Sequence, residues 1–347
     1  MFFGGLLMLV SCGETPNSPA TYQSFDGETM GTYYRITHAT GIRPLTKYWV
    51  DSVLFEINLA VSTYIDTSLI SRFNQAEASL EEQEVTVPAR AGIFQENIDL
   101  AASVYSRTQG YYDPTVMPLV NFWGFGYQPR PEAEILPDTQ QIQALLDRIG
   151  FDRLQWRATS PWKLEKPRAD MEIDLSASAK GFAIDYLSRQ MKDTFGIQAY
   201  LIDIGGEARA QGVNEQGRTW RVGISNPSED ALNFDYNYIL SLDNRAVATS
   251  GNYRNFYKVG DQTISHTMNP KTGFFERNNL LSVSIVTEHC GVADAFATAC
   301  MAMGLKQART LIESIEGLEA LFIFVDEQGV QQSYITAGLE PMVTAAN

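Results

Sequence analysis

Asp294 and Thr298 stand four residues apart in the segment Cys290 to Gly304, CGVADAFATACMAMG, which is otherwise built of Ala, Val, Phe, Met, Cys and Gly. Helical spacing sets the carboxylate and the hydroxyl on one face. A charged carboxylate among packed apolar groups costs several kcal/mol unless a cation or a donor compensates it. A metal ion, a lysine or a helix N-terminus is therefore expected beside Asp294. Two readings fit: a cation site, or a cap on the first helical turn, where backbone N–H groups and the dipole favour an anion.

A second constellation lies in MEIDLSASAKGFAIDYL, Met171 to Leu187, where Asp174 ends an apolar run and Lys180 opens a helix with only small residues between. Small residues let backbone approach a ligand, exposed N–H groups at a helix start bind anions, and Lys180 adds a point charge suited to phosphate. The competing reading is an ordinary Asp174–Lys180 ion pair across a strand-to-helix turn. In YLIDIGGEARAQG, Gly205-Gly206 follows an apolar strand and marks a tight turn or a close approach to a planar ligand. His266, before the Pro-Lys-Thr-Gly turn that ends at Gly273, stands at the end of a predicted strand. It is a candidate general base near neutral pH or a structural histidine.

Other chemistries are excluded by what is missing. No G-x-G-x-x-G, Walker loop or G-x-S-x-G occurs, and GFGYQP after Trp123 lacks the strand-to-helix context of a dinucleotide fingerprint. His38, His266 and His289 lack zinc-ligand spacing, and Cys290 and Cys300, on one helix, would sit about 15 Å apart, beyond disulfide reach. Any metal is then hard and oxygen-ligated, which points to magnesium. A formal charge of −15 over 347 residues leaves no basic stripe for nucleic acid, so an anionic ligand needs a cation to hold it.

The elements that position these residues read as α+β. Trp49, Val53, Ile57, Ala60 and Tyr64 recur at helical spacing, as do Phe94, Ile98, Ala101 and Tyr105 before Gly110. Asp138 to Gly150 carries both start and stop signals for a third helix. Met171–Leu175, Ala199–Ile204, Trp220–Ile224, Tyr238–Leu242, Arg245–Thr249, Leu281–Val286 and Ala320–Val325 read as strands, with a helix from about Ser178 to Phe195 among them. The late clustering of strands favours mixed β-sheets flanked by helices over a purely parallel sheet. The N-terminus, MFFGGLLMLVSC, resembles a lipoprotein signal ending at Cys12, without a basic residue before the apolar run. Residues 1–20 are thus expected to be signal and tether, and 21–347 a catalytic domain.

Taken in order, these segments resemble the ApbE family, the FAD:protein FMN transferases. The resemblance runs through Met30-Gly31-Thr32, Ser71-Arg72-Phe73-Asn74, Tyr112-Asp113-Pro114-Thr115, Pro118 to Gly126, and Asp174-Leu175-Ser176 with Lys180-Gly181. It continues through Asp203-Ile204-Gly205-Gly206, Thr249-Ser250-Gly251, Ser265-His266 with Pro270 and Thr272-Gly273, and Ala293-Asp294-Ala295 with Thr298.

The resemblance implies an ApbE-like fold and magnesium-dependent transfer of FMN from FAD to a threonine hydroxyl of an exported acceptor protein, of the kind found in flavinylated redox pumps, with release of AMP. It implies FAD contacts at Met30, Tyr64, Tyr111, Tyr112, Asp113, Asp174, Lys180 and Met268. It implies metal ligation by the Ala177 carbonyl, Asp294 and Thr298, and a role for His266 in orienting or deprotonating the acceptor. The lipoprotein-like signal at the N-terminus implies a lipid anchor at Cys12 facing the periplasm or cell exterior. The chain departs from the family at Asn269, where Asp is usual; Asn preserves a turn but removes a charge. FAD pyrophosphatase and a non-catalytic flavin-binding lipoprotein remain as rival expectations.

Overall fold

The computed structural model describes residues 21–127, 139–227, 236–252, 256–259, 262–265, 267–275 and 279–346. The chain opens with a hairpin, β1 (Tyr22–Thr29) and β2 (Thr32–Ala39), followed by α1 (Lys47–Val61), α2 (Leu69–Gln75), β3 (Ser79–Glu81) and α3 (Pro88–Arg107). Then come α4 (Met117–Phe122), α5 (Thr139–Leu146), β4 (Gln155–Arg157), β5 (Lys163–Glu165), α6 (Ser176–Phe195), β6 (Tyr200–Ile204), β7 (Glu207–Gln211), β8 (Trp220–Ser225) and β9 (Tyr236–Leu242). The last third holds β10 (Ala246–Gly251), β11 (Phe256–Val259), β12 (Gln262–Ser265), β13 (Leu280–Thr287), α7 (Cys290–Met303), α8 (Leu305–Glu313), β14 (Glu319–Val325), β15 (Gln331–Ile335) and β16 (Val343–Ala345).

Eight strands form one sheet in the order β1-β2-β6-β7-β10-β13-β14-β15, and each neighbouring pair is antiparallel. Alternation along the central strands serves two cores. Ala246, Ala248, Val283, Ile285, Ala320 and Phe322 pack toward the helices. Their neighbours Val247, Val286, Leu321 and Ile323 pack with Trp220, Leu240 and Leu242 of the three-stranded sheet β16-β9-β8. Burial on both faces explains why β14 reads EALFIFV, a continuous apolar run rather than an alternating one. The α+β class follows from these layers, helices on one side of the large sheet and a small sheet on the other.

Two sequence expectations fail, each for a physical reason. Met171 to Leu175 is no strand: Ile173 bonds to the Asn74 side chain and Asp174 N–H to the Pro114 carbonyl, at 2.7 Å, so no ladder forms. The first helix does not reach Tyr64; Ser62 adopts an extended C-cap conformation and closes it at Val61. The hairpin β1–β2 and the strands β7 and β15 were not among the expected elements. His266, the tether and Cys12 lie outside the described residues.

The helices that carry the chemistry approach unusually closely. A Cβ on Gly181 of α6 would come within 2.3 Å of the Cys290 carbonyl oxygen on α7, and one on Gly291 of α7 within 3.1 Å of the Phe182 backbone nitrogen on α6. Glycine at both places lets the α6 and α7 backbones touch. Asp185 of α6 then accepts from the first amides of α7, Cys290 N–H at 3.0 Å and Gly291 N–H at 2.9 Å, and pairs with Arg209 of β7 at 2.7 Å. The N-terminus of α7 is therefore capped by Asp185, which removes the reading of Asp294 as that cap.

Candidate active site

A cleft of about 460 Å³ opens at the end of the large sheet where β6 turns into β7 and where β10 ends. The β6–β7 turn has both glycines at positive φ, Gly205 at 65° and Gly206 at 102°, as a type I′ turn requires. Tyr64, Tyr111, Tyr112, Asp113, Asp174, Ala177, Lys180, Met268, Asp294 and Thr298 all line this cleft. Met30 is not among its lining residues. It occupies the tip of the β1–β2 hairpin at a φ of 50°, beside Gly31 and Thr32, and the Thr32 methyl stands against Gly205.

Lys180 is the one cation among the described lining residues, which also include Asp113, Asp174, Glu207 and Asp294. Its Nζ lies 3.5 Å from Glu207 Oε1 and 4.0 Å from Asp294 Oδ2. Asp294, with Glu207 behind it, holds the lysine well above the ordinary ammonium range. Burial pushes both acids upward in turn, and Lys180 only partly offsets that cost. The lysine's partners are thus Glu207 and Asp294 rather than Asp174. Asp174 instead accepts from Ser176, from its N–H at 2.8 Å and its hydroxyl at 2.9 Å, at the start of α6.

Asp294 is 3% exposed and accepts from Gly181 N–H at 3.2 Å. Gly181 lies within α6, where helical geometry points the same N–H toward the Ala177 carbonyl, four residues back. Thr298, one turn along α7, stands 3.2 Å from Ser250 Oγ on β10. The Ala177 carbonyl, the Asp294 carboxylate and the Thr298 hydroxyl border one cleft, an oxygen donor set of low charge that suits a hard divalent cation. Among the described residues there is no group of three or more His, Cys, Asp or Glu that could hold a metal ion.

The remaining walls are set by packing. Tyr112 is buried and its hydroxyl stands 2.9 Å from Ser178 Oγ, whereas Tyr64 is 71% exposed at the rim. Lys271 lies 4.2 Å over the ring of Tyr111. Asp113 turns its carboxylate into the chain: Oδ1 accepts from Thr115 N–H at 2.8 Å and Thr115 hydroxyl at 2.6 Å, and Oδ2 from Phe151 N–H at 3.4 Å. Burial pushes Asp113 up to about 6 against those bonds. Trp123 Nε1 donates to the Gly273 carbonyl at 3.0 Å and packs with Leu119, Ile142 and Met268, which ties the PLVNFWGFG segment to the Pro-Lys-Thr-Gly turn. In that turn Asn269 is buried, its side chain accepts Lys271 N–H at 2.9 Å, and its carbonyl accepts Gly273 N–H at 2.8 Å. Asn269 is therefore a turn-former here.

Sequence reasoning did not single out Glu207. It is 5% exposed, its Oε2 is buried without a hydrogen-bond partner, and it follows the Gly205-Gly206 turn directly. An acid placed at the start of a strand straight after a glycine turn was the available signal, but its depth depends on α6 packing over β7. Thr63, Phe125 and Ser250 also line the cleft.

Fold and cleft together define a class, because solved structures that match over nearly the whole chain are flavin transferases. The flavin transferase ApbE from Vibrio cholerae superposes with a TM-score of 0.78 at 30% identity, covering 93% of this chain and 100% of that one. The apo form of the Pseudomonas stutzeri flavinyl transferase ApbE gives 0.80 at 28% identity, covering 94% and 98%. This chain belongs to the ApbE family, whose model matches residues 30–322. Its relatives include FAD:protein FMN transferases from Vibrio cholerae, 31% identical over 98% of this chain and 97% of that protein, and from Salmonella typhimurium, 34% identical over 93% and 91%.

Proposed function

We propose that the protein transfers the FMN moiety of FAD to a protein acceptor, onto a threonine hydroxyl, with magnesium as cofactor and AMP as the leaving product. The observation that carries this reading is the cleft in which Lys180 stands between Glu207 and Asp294, in a chain whose relatives are FAD:protein FMN transferases. FAD brings a negatively charged pyrophosphate into a cleft already rich in acids, so the site needs a cation beyond Lys180. The Ala177 carbonyl, Asp294 and Thr298 would hold the metal, which would neutralise charge on the phosphate oxygens as the bond to AMP breaks.

The chain's own residues divide the rest of the work. Lys180 supplies a fixed positive charge to the pyrophosphate, kept ionised by Asp294 and Glu207. Tyr64 and Tyr111 offer ring faces for the isoalloxazine or adenine, and the Met268 side chain gives an apolar contact. Asp174 fixes the start of α6 through Ser176, and so the direction of the Ala177 carbonyl. His266 orients the acceptor hydroxyl for in-line attack. We also propose that residues 1–20 are a signal and tether with Cys12 lipidated, placing the enzyme on the outer face of a membrane.

The test incubates the protein with FAD, magnesium and a threonine-bearing acceptor, then views a denaturing gel for flavin fluorescence. A labelled acceptor band is expected. AMP and FMN in solution without a labelled band would replace the transferase with a pyrophosphatase, and intact bound FAD would leave only a carrier.

A further inference from the structure

Asn74, near the end of α2, contacts no part of the cleft, yet it holds a segment that the cleft depends on. Its side chain bonds both backbone groups of Ile173: Nδ2 donates to the carbonyl at 2.9 Å, and Oδ1 accepts the N–H at 2.8 Å. That is the pairing a neighbouring strand would supply, delivered by one side chain. The Asn74 backbone is secured in turn by Lys166, whose Nζ donates to the carbonyls of Asn74, Ala169 and Met171, each at 2.9 Å. The ammonium also lies 5.1 Å over the ring of Phe73, and Lys166 is 5% exposed. Among the described residues no carboxylate lies within ion-pair distance of it, and the three carbonyl dipoles, the ring and the more distant Glu172 and Asp170 partly compensate its burial.

The clamp ends where the site begins. Ile173 precedes Asp174, whose N–H is tied to Pro114 at 2.7 Å and whose carboxylate accepts from Ser176. Ala177 follows in the first turn of α6, and Lys180 in the next. Because residues 171 to 174 belong to no sheet, Ile173 is fixed by the Asn74 side chain and Asp174 by a single backbone bond to Pro114, and these set the segment's position relative to Asp294 on α7.

We propose that Asn74 and Lys166 are positioning residues, which hold the Asp174–Ala177 turn in register with Asp294 so that FAD and its metal meet a preformed site. The proposal rests on the transferase reading for what occupies the cleft, but its first readout is ligand affinity rather than turnover.

The test compares wild type with Asn74→Ala, Asn74→Asp and Lys166→Met in the full chain. FAD binding is followed by flavin fluorescence quenching with and without magnesium, beside thermal unfolding and AMP release. At temperatures where every variant is folded, Asn74→Ala should weaken FAD binding and raise the half-saturating magnesium at least 10-fold, and raise KM more than it lowers kcat. Asn74→Asp is the finer probe: ionised, it opposes the Ile173 carbonyl, whereas protonated it donates again. Its FAD affinity should therefore recover toward wild type as pH falls, while that of Asn74→Ala should not.

Lower unfolding temperatures with FAD and magnesium affinity within threefold of wild type would make the clamp merely structural and overturn the proposal, as would equal pH behaviour of the two Asn74 variants. If Asn74→Ala does not fold, Asn74→Asp against Lys166→Met decides by the same criteria. Wild-type chain that binds FAD but labels no acceptor would fail the transferase reading while leaving this comparison intact.

Discussion

Gly181 donates its backbone N–H to Asp294 Oδ2 at 3.2 Å, a bond between two helices that exists because residue 181 has no Cβ. It ties the start of α6, with Ala177 and Lys180, to the acid on α7. A methyl group there would meet the Cys290 carbonyl at 2.3 Å, against backbone that cannot rotate away. Gly181→Ala should separate the helices, with a loss of roughly 1–3 kcal/mol and a larger loss of magnesium-dependent AMP release. Thermal unfolding and an AMP assay check both. A variant with full activity would show that the close helix contact does not set the site.

Asp294→Ala removes the buried carboxylate of the proposed metal set. Magnesium-dependent AMP release should fall at least ~100-fold, the scale of losing an electrostatic group that acts on the transition state, with the overall fold retained by circular dichroism. Undiminished activity would reject the metal site.

Lys180→Met leaves Glu207 and Asp294 facing each other without their cation. The lysine is partly exposed, so the cost is discounted to about 2 kcal/mol from the range for a fully buried pair. Magnesium should raise the unfolding temperature of Lys180→Met by more than it raises that of wild type. Equal shifts would mean that the metal does not bind near these acids.

Asp113 gives a pH dependence with a definite sign. Its folded value, about 6, lies above the ordinary 3.8, so the fold favours the protonated form. The native state then binds more protons than the unfolded chain between about pH 4 and 6, and stability falls as pH rises through that window. The difference corresponds to about 3 kcal/mol. Asn at this position keeps the acceptor for Thr115 and cannot ionise. Asp113→Asn should therefore gain stability relative to wild type on going from pH 4.5 to pH 7.5 in denaturant titrations. A constant difference across that range would refute the assignment.

Tyr64 is 71% exposed at the cleft rim, so its ring contributes little to the core. Tyr64→Ala should leave the unfolding temperature within about 2 °C, as is usual for surface changes of under 0.5 kcal/mol, yet weaken FAD binding several-fold in a fluorescence titration. Unchanged FAD affinity would remove Tyr64 from the binding wall.

The lining of the candidate site was largely legible because its residues sit at the joints of elements. Asp174, Lys180, Asp294 and Thr298 each stood out as polar groups beside apolar or small runs, and all line one cleft. What misled was local pattern without partners. Met171 to Leu175 alternates like a strand, but Asn74 and Pro114 take the bonds that a ladder would have used. Tyr64 continues a helical spacing beyond Val61, where the backbone turns at Ser62 and the ring stays outside.

By itself, the sequence determined the α+β class, the order of the motifs and the need for a cation beside Asp294, because periodicity and the cost of a buried charge are local properties. Only the tertiary structure decided which lysine stands beside Asp294 and which acid caps α7. Asp294 and Lys180 lie more than a hundred residues apart in the chain, and Asp185, not Asp294, closes the N-terminus of α7. Glu207 entered the site for the same reason. Its burial depends on α6 crossing β7, and a charge's partner is set by distance through space, which the linear order of residues does not specify.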